Sequence, residues 1–198
     1  MKKDKSIVGL TGISGAGKTI AAGIFAENGF TVIDCDKEAR RIIAASPCSE
    51  AVKQAFPEVY NESGEMDRVK MSRLVFSDRE KLKEYEKIIF PYITREILGI
   101  ISKINAEHKE KILLDAPALF QSGADRLCGK IVAVAADREI CLRRIMQRDK
   151  ISESDALLRL NSQPGADFFK ENADIYIENN GGEEEFIIKI KEAIGKVL

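Results

Sequence analysis

Short apolar runs rich in β-branched residues recur along the chain at 6–10 (SIVGL), 31–34 (TVID), 111–115 (KILLD), 130–135 (KIVAVA) and 174–178 (DIYIE). Between them the apolar positions fall at helical spacing, so strands alternate with helices. That alternation predicts an α/β fold: a five-stranded parallel sheet flanked by helices on both faces. The strands are unevenly spread. From Asp36 to Lys111 the pattern is helical with no convincing strand, and it includes REKLKEYEKIIFPYITREILGIISKI, which Pro91 interrupts. Such a stretch is too long for one crossover helix and predicts a helical insertion over about 37–110, above the active edge of the sheet. A second helical excursion, from about Ser152 to Asn172, is rich in charge and broken by QPG at 163–165. The segment FPEVYNESGEMD at 56–67 reads as a loop around a Ser-Gly turn.

Composition narrows what these elements can serve. With 198 residues, 44% hydrophobic and 32% charged, the chain can bury one full core, and a single domain spanning 1–198 is expected. Its 31 Lys and Arg nearly balance 32 Asp and Glu, leaving a net charge of -1. No overall field recruits nucleic acid or a membrane surface, so an anionic ligand must be held by a local site. No run of about 18 apolar residues occurs, and the start MKKDKSIVGLTG lacks the apolar core of an export signal, so a cytoplasmic protein is expected. Cys35, Cys48, Cys128 and Cys141 show no CxxC or Cys/His spacing, which predicts reduced thiols rather than a zinc site.

The first strand runs into GLTGISGAGKT at 9–19. Gly12, Gly17, Lys18 and Thr19 satisfy G-x-x-x-x-G-K-[ST], with a strand-like segment before and a helix-like KTIAAGIFAENG after. The glycines let the chain turn so that successive N–H groups, through Ser14, Gly15, Ala16 and Gly17, point inward at phosphates, and the following helix adds its positive end. Lys18 would reach the β and γ oxygens, Thr19 would ligate Mg²⁺, and the amide of Ile20 would sit near the α-phosphate. A guanine-reading NKxD is absent.

Three further groups bear on where the phosphate goes. Asp115 ends the third strand, at the carboxyl edge where parallel sheets place ligands, and could hold Mg²⁺ through water. Asp34 and Asp36 end the second strand in VIDCD. Standing where the strand gives way to the next element, the two can take different duties, one as a base toward an attacking hydroxyl and the other as a cap on the next helix. The residues alone do not choose between them. Arg144 and Arg148, four apart in LRRIMQRD, share a helix face at the entry to the second excursion, and Arg159 follows. In a phosphotransferase such guanidinium groups arrive with a mobile lid. His108, flanked by charges, reads as a surface residue.

Taken in order, these motifs resemble the dephospho-coenzyme A kinase family across essentially the whole chain. LTGISGAGKT resembles the family's LTGGIGSGKS, VIDCDKEAR its VIDAD with an alanine-arginine pair, DAPALFQ its DVPLLFE, LRRIMQRD its LxRLxxRD, RLNSQ its RIxxQ, and ADIYIENNG its ADxVIxNxG. The resemblance implies a P-loop kinase fold that transfers the ATP γ-phosphate to the ribose 3′-hydroxyl of dephospho-coenzyme A. It also implies Asp36 as the base, Lys18 with the lid arginines Arg144 and Arg148 as catalytic groups, and a lid of about 144–172. The insertion would hold the acceptor, with Asp36 and Pro91 on that side, and Asn179 in ENNG would lie near the adenine. The chain departs from the family at Ile13 in the loop, Phe90 for the histidine before Pro91, Gln121 for a glutamate, Gly129 for an aspartate, and Phe169 and Lys170 where an arginine is usual. Two other readings stay open: another small-molecule kinase, such as a nucleotide or shikimate kinase, and a non-catalytic nucleotide-binding regulator.

Overall fold

The computed structural model describes residues 4–107 and 111–197. His108 lies outside the described residues. Five strands, β1 (Asp4–Gly12), β2 (Phe30–Asp34), β3 (Lys111–Asp115), β4 (Cys128–Ala135) and β5 (Ile175–Glu178), pair in the order β2-β3-β1-β4-β5, all parallel. Their β-branched runs face helices on both sides, as expected of a fully covered sheet. On one face Val8, Leu10, Leu113, Val132 and Val134 pack against α1 (Lys18–Glu27), α6 (Arg138–Asp149), α7 (Glu153–Asn161) and α9 (Glu183–Val197), through Phe25, Ile145, Leu160 and Ile190. On the other face Ile7, Ile33, Ile112, Leu114 and Ile131 pack against Ile97 and Ile101 of α5 (Arg79–Glu107).

The stretch between β2 and β3 is helical: α2 (Cys35–Ile43), α3 (Cys48–Ala55), a 3-10 turn at Pro57–Val59, α4 (Arg68–Ser77) and α5. These elements share a separate core of Val52, Phe56, Val59, Met71, Val75 and Ile89. One sequence expectation needs correction, because Pro91 does not interrupt the helix and α5 runs unbroken through it for 29 residues. A proline removes one N–H and crowds the carbonyl four residues back, at about 3 kcal/mol or more. Here that carbonyl belongs to exposed Lys87, where water can satisfy it. Buried Ile89 and Ile97 flank the proline and anchor α5 in two different cores, so packing outweighs the defect.

The chain from β3 crosses over to β4 on the far side of β1, so the crevice of the sheet opens above the carboxyl end of β1. Register brings Asp34 beside Asp115, and Asp115 beside Leu10, at that same edge. The helix α8 (Ala166–Asn172) packs against β4 and β5, with Phe169 buried. Cys48, Cys128 and Cys141 are buried and Cys35 is partly so, with no disulfide among the described residues. No helix among the described residues is long and apolar enough to cross a membrane.

Candidate active site

The loop after β1 turns through left-handed backbone at Gly12, Gly15 and Gly17, with φ of 139°, 82° and 109°. At Gly12 a Cβ would overlap the backbone of Val134 on the neighbouring strand, which cannot rotate away. Gly12→Ala is therefore expected to cost about 1–3 kcal/mol and to lower the melting temperature by about 2–12 °C, with nucleotide affinity lost alongside. A thermal melt with and without Mg-ATP reads both. Beneath the loop, Asn179 is buried, and its Nδ2 donates to the Ala16 carbonyl at 2.7 Å. It buttresses the loop rather than facing open space. Ala16 is likewise buried under the turn.

Lys18 opens α1 and its Nζ forms an ion pair with Asp115 at the end of β3, both side chains mostly buried. Desolvation raises the Asp115 carboxyl above the ordinary aspartate range, and Lys18 opposes that rise. At the end of β2 the two aspartates divide. Asp34 caps α2 through Oδ1, which accepts from the Lys37 N–H at 2.9 Å. Asp36, one step into α2, stands beside the cavity, where the surrounding protein raises its carboxyl by desolvation. Lys18, Arg40 and Arg148 pull it down and Asp34 pushes it up.

From the opposite wall comes α6. Arg144 donates to the carbonyls of Gly15 and Asn179 at 3.4 and 3.5 Å. Arg148 is paired with Asp149 through Nε and Nη2, at 2.7 and 2.8 Å, and Asp149 also receives Arg159 from α7. These bonds from Arg148 first, and Arg159 after it, hold the Asp149 carboxyl below the usual carboxylate range. The α7 end is tied to the helical layer as well, because Arg73 of α4 makes a two-point contact with Asp155 at 3.2 and 3.1 Å.

Gly12, Ser14, Gly15, Gly17, Lys18, Thr19, Ile20, Asp36, Asp115, Arg144 and Arg148 all line one cavity of about 850 Å³. Pro91 does not. It sits on the exposed side of α5, in a shallow groove with Phe90, Thr94 and Leu98, because the unbroken helix carries it away from the sheet edge. Sequence reasoning gave no role to Asp149, Arg40 or Gln163, which line the same cavity. Their only signal was membership of the short stretches LRRIMQRD, KEARR and RLNSQ. Thr19 offers a hydroxyl, and Asp34, Asp36 and Asp115 offer carboxylates, to this space. Hard oxygen donors of this kind suit Mg²⁺, which usually relies on one or two carboxylates plus substrate phosphates. Among the described residues no cluster of three or more acidic, His or Cys side chains forms a closed metal cage.

A glycine-rich loop on a parallel sheet of order 2-3-1-4-5, facing arginines across a cavity with an aspartate at its side, defines a P-loop kinase. The comparisons give the particular family. The model for dephospho-CoA kinase, CoaE, matches residues 6–185. A dephospho-CoA kinase from Fusobacterium nucleatum is 34% identical over 187 residues, covering 93% of this chain and 95% of its own length. Among solved structures, TT1252 from Thermus thermophilus aligns with a TM-score of 0.82 at 30% identity, covering 100% of this chain and 99% of that one. Dephospho-CoA kinase from Campylobacter jejuni aligns with a TM-score of 0.67 at 27% identity, covering 100% and 98%. The chain belongs to the dephospho-CoA kinase family, ATP-dependent phosphotransferases of coenzyme A biosynthesis.

Proposed function

We propose that this chain catalyses in-line transfer of the ATP γ-phosphoryl to the 3′-hydroxyl of dephospho-coenzyme A, with Asp36 as the base. The observation that carries this reading is the convergence of three strand ends, the phosphate loop and the α6 arginines on one cavity. Loop amides and Lys18 hold the phosphates, which gives Lys18 an alternative partner to Asp115. Asp36 accepts the proton of the attacking hydroxyl, since a carboxylate held above its ordinary pKa is a stronger base. Arg144 and Arg148 offset charge on the transferring group, and the lid of about 144–172, with α8 as its anchored end, excludes water. Thr19 would hold Mg²⁺, with Asp115 through water. When bound, the metal neutralises charge on the phosphate oxygens.

The helical layer over about 37–110 supports an acceptor role. A second cavity of about 720 Å³, lined by Tyr60, Met66, Met71 and Tyr85, adjoins the first and shares Arg40 and Phe76 with it. An acceptor with an adenosine-diphosphate end and a long, flexible arm of amide and alkyl groups would fit this pairing, with Arg40 near its phosphates. Pro91 has no part in it. A charge-balanced chain with no disulfide among its described residues suits the cytoplasm, and nothing in its charge favours nucleic acid or membrane partners.

The test follows ADP release from Mg-ATP with and without dephospho-coenzyme A, and with nucleosides and shikimate as competitor acceptors. Release only with dephospho-coenzyme A, and a product heavier by one phosphoryl group, is the expected result. ATP binding without acceptor-dependent release would favour a regulator instead.

A further inference from the structure

The turn between α7 and α8 places Gln163 over the phosphate loop. Its Oε1 accepts from the Ser14 N–H at 3.0 Å, across 149 positions of sequence. The side chain is half-buried and lines the main cavity with Ser14, Lys18 and Arg159. The stem is not loose, because the Gln163 N–H donates to the Leu160 carbonyl at 3.3 Å and Ser162 Oγ donates to the Arg159 carbonyl at 2.9 Å. Gln163 is thus continuous with α7, the helix that carries Arg159.

A backbone amide has a single hydrogen, and in a phosphate loop that hydrogen is aimed at phosphate oxygen. The amide oxygen of Gln163 occupies the acceptor position at Ser14. Ser14 lies at the opposite end of the loop from Ile20, whose amide is the α-phosphate end. Its N–H therefore belongs to the terminal-phosphate side of the site. We infer that Gln163 is a positioning residue that competes with the terminal phosphate of the nucleotide for the Ser14 N–H. Entry of a γ-phosphate displaces the carboxamide and moves the end of α7, with Arg159, off the loop. A nucleotide lacking that phosphate leaves the contact in place. The lid is in this way coupled to whether the loop holds a triphosphate. This rests on the nucleotide reading of the loop and not on the identity of the acceptor.

Calorimetric titration of Mg-ATP and Mg-ADP into the full chain, without acceptor, tests it on three variants. In Gln163→Ala the competitor is gone, and Mg-ATP is expected to bind about threefold to tenfold tighter, the worth of one neutral hydrogen bond. Mg-ADP affinity should move clearly less. Gln163→Asn, a methylene shorter and unable to reach Ser14, should follow the alanine variant and guards against a folding artefact. In Gln163→Glu a carboxylate accepts more strongly and repels the γ-phosphate, so Mg-ATP should bind about tenfold weaker, again with a smaller change for Mg-ADP. Tighter ATP binding in the first two with weaker binding in the third supports the inference. Unchanged or weaker ATP binding in Gln163→Ala, or ATP and ADP affinities moving together, overturns it. A wild-type chain binding neither nucleotide would overturn the phosphate-loop reading and this inference with it. Normal nucleotide binding with no transfer to dephospho-coenzyme A would overturn only the acceptor.

Discussion

Asp36→Asn is expected to lower kcat by about 10²–10⁴ while leaving Mg-ATP affinity nearly unchanged, the range for a lost general base. The asparagine keeps the shape beside the cavity and the end of α2, whose cap is Asp34 and not Asp36. What disappears is a carboxylate able to take the hydroxyl proton. The wild-type profile should carry the same signature. The Asp36 carboxyl is raised, first by desolvation, so kcat/KM, which reports the free enzyme, should fall off on the acid side at higher pH than an ordinary aspartate at about 3.9 would give. Stability should run the other way. A carboxyl whose folded pKa exceeds its unfolded value contributes stability below the unfolded pKa and loses it as pH rises through the folded one. At neutral pH the ionised Asp36 is therefore a cost, and the asparagine variant should melt no lower than wild type, and slightly higher. Near-normal kcat in this variant would sink the assignment. Asp34 would be a poor heir, because Oδ1 is already committed to the Lys37 amide.

Much of this site could be read from local sequence because local sequence builds it. The strands are dense in β-branched residues, and four of the five end at the residue the pattern predicts, with β1 running two residues further. The loop needs glycine where φ is positive, so its motif survives as a pattern of small residues. Asp34 and Asp36 illustrate the boundary. Alternation along a strand would put residues two apart on one face, and it is the start of α2 at Cys35 that separates them and decides which one caps. The continuity of α5 was not legible, because a proline normally stops a helix and the compensation comes from Ile89 and Ile97 reaching separate cores. Nor could spacing show that Gln163 meets Ser14 or that Lys18 meets Asp115, contacts spanning 149 and 97 positions. Those pairings arise from the sheet order and from how α7 returns over β1. Pro91 shows the converse, a short motif whose neighbours in sequence are not its neighbours at the site.

The second large effect concerns Lys18 and separates its two duties. Lys18→Ala should reduce kcat/KM by about 10²–10³ or more, comparable to removing a preorganised donor from a developing charge. It should also lower the melting temperature at neutral pH, which a role confined to ligand contact would not do. The reason is Asp115, whose carboxyl is desolvated and has Lys18 as its principal opposing charge. Deleting one member of a largely buried pair leaves the other uncompensated, and that is the costly step. The Asp115 pKa then rises further, so the loss of stability should grow as pH rises through it and shrink as acid protonates the group. Adding Asp115→Asn removes the stranded charge. The double variant should recover most of the lost melting temperature and none of the activity, because the phosphates still lack their cation. A double variant that melts as low as Lys18→Ala would show that the ion pair does not govern loop stability. Retained turnover in Lys18→Ala would remove the lysine from the phosphate site. Between those outcomes the paired result distinguishes a lysine held by Asp115 until nucleotide arrives from one that serves only the fold. The first kind is what phosphoryl transfer requires: a cation stored at the end of β3, beside the loop where the phosphates bind.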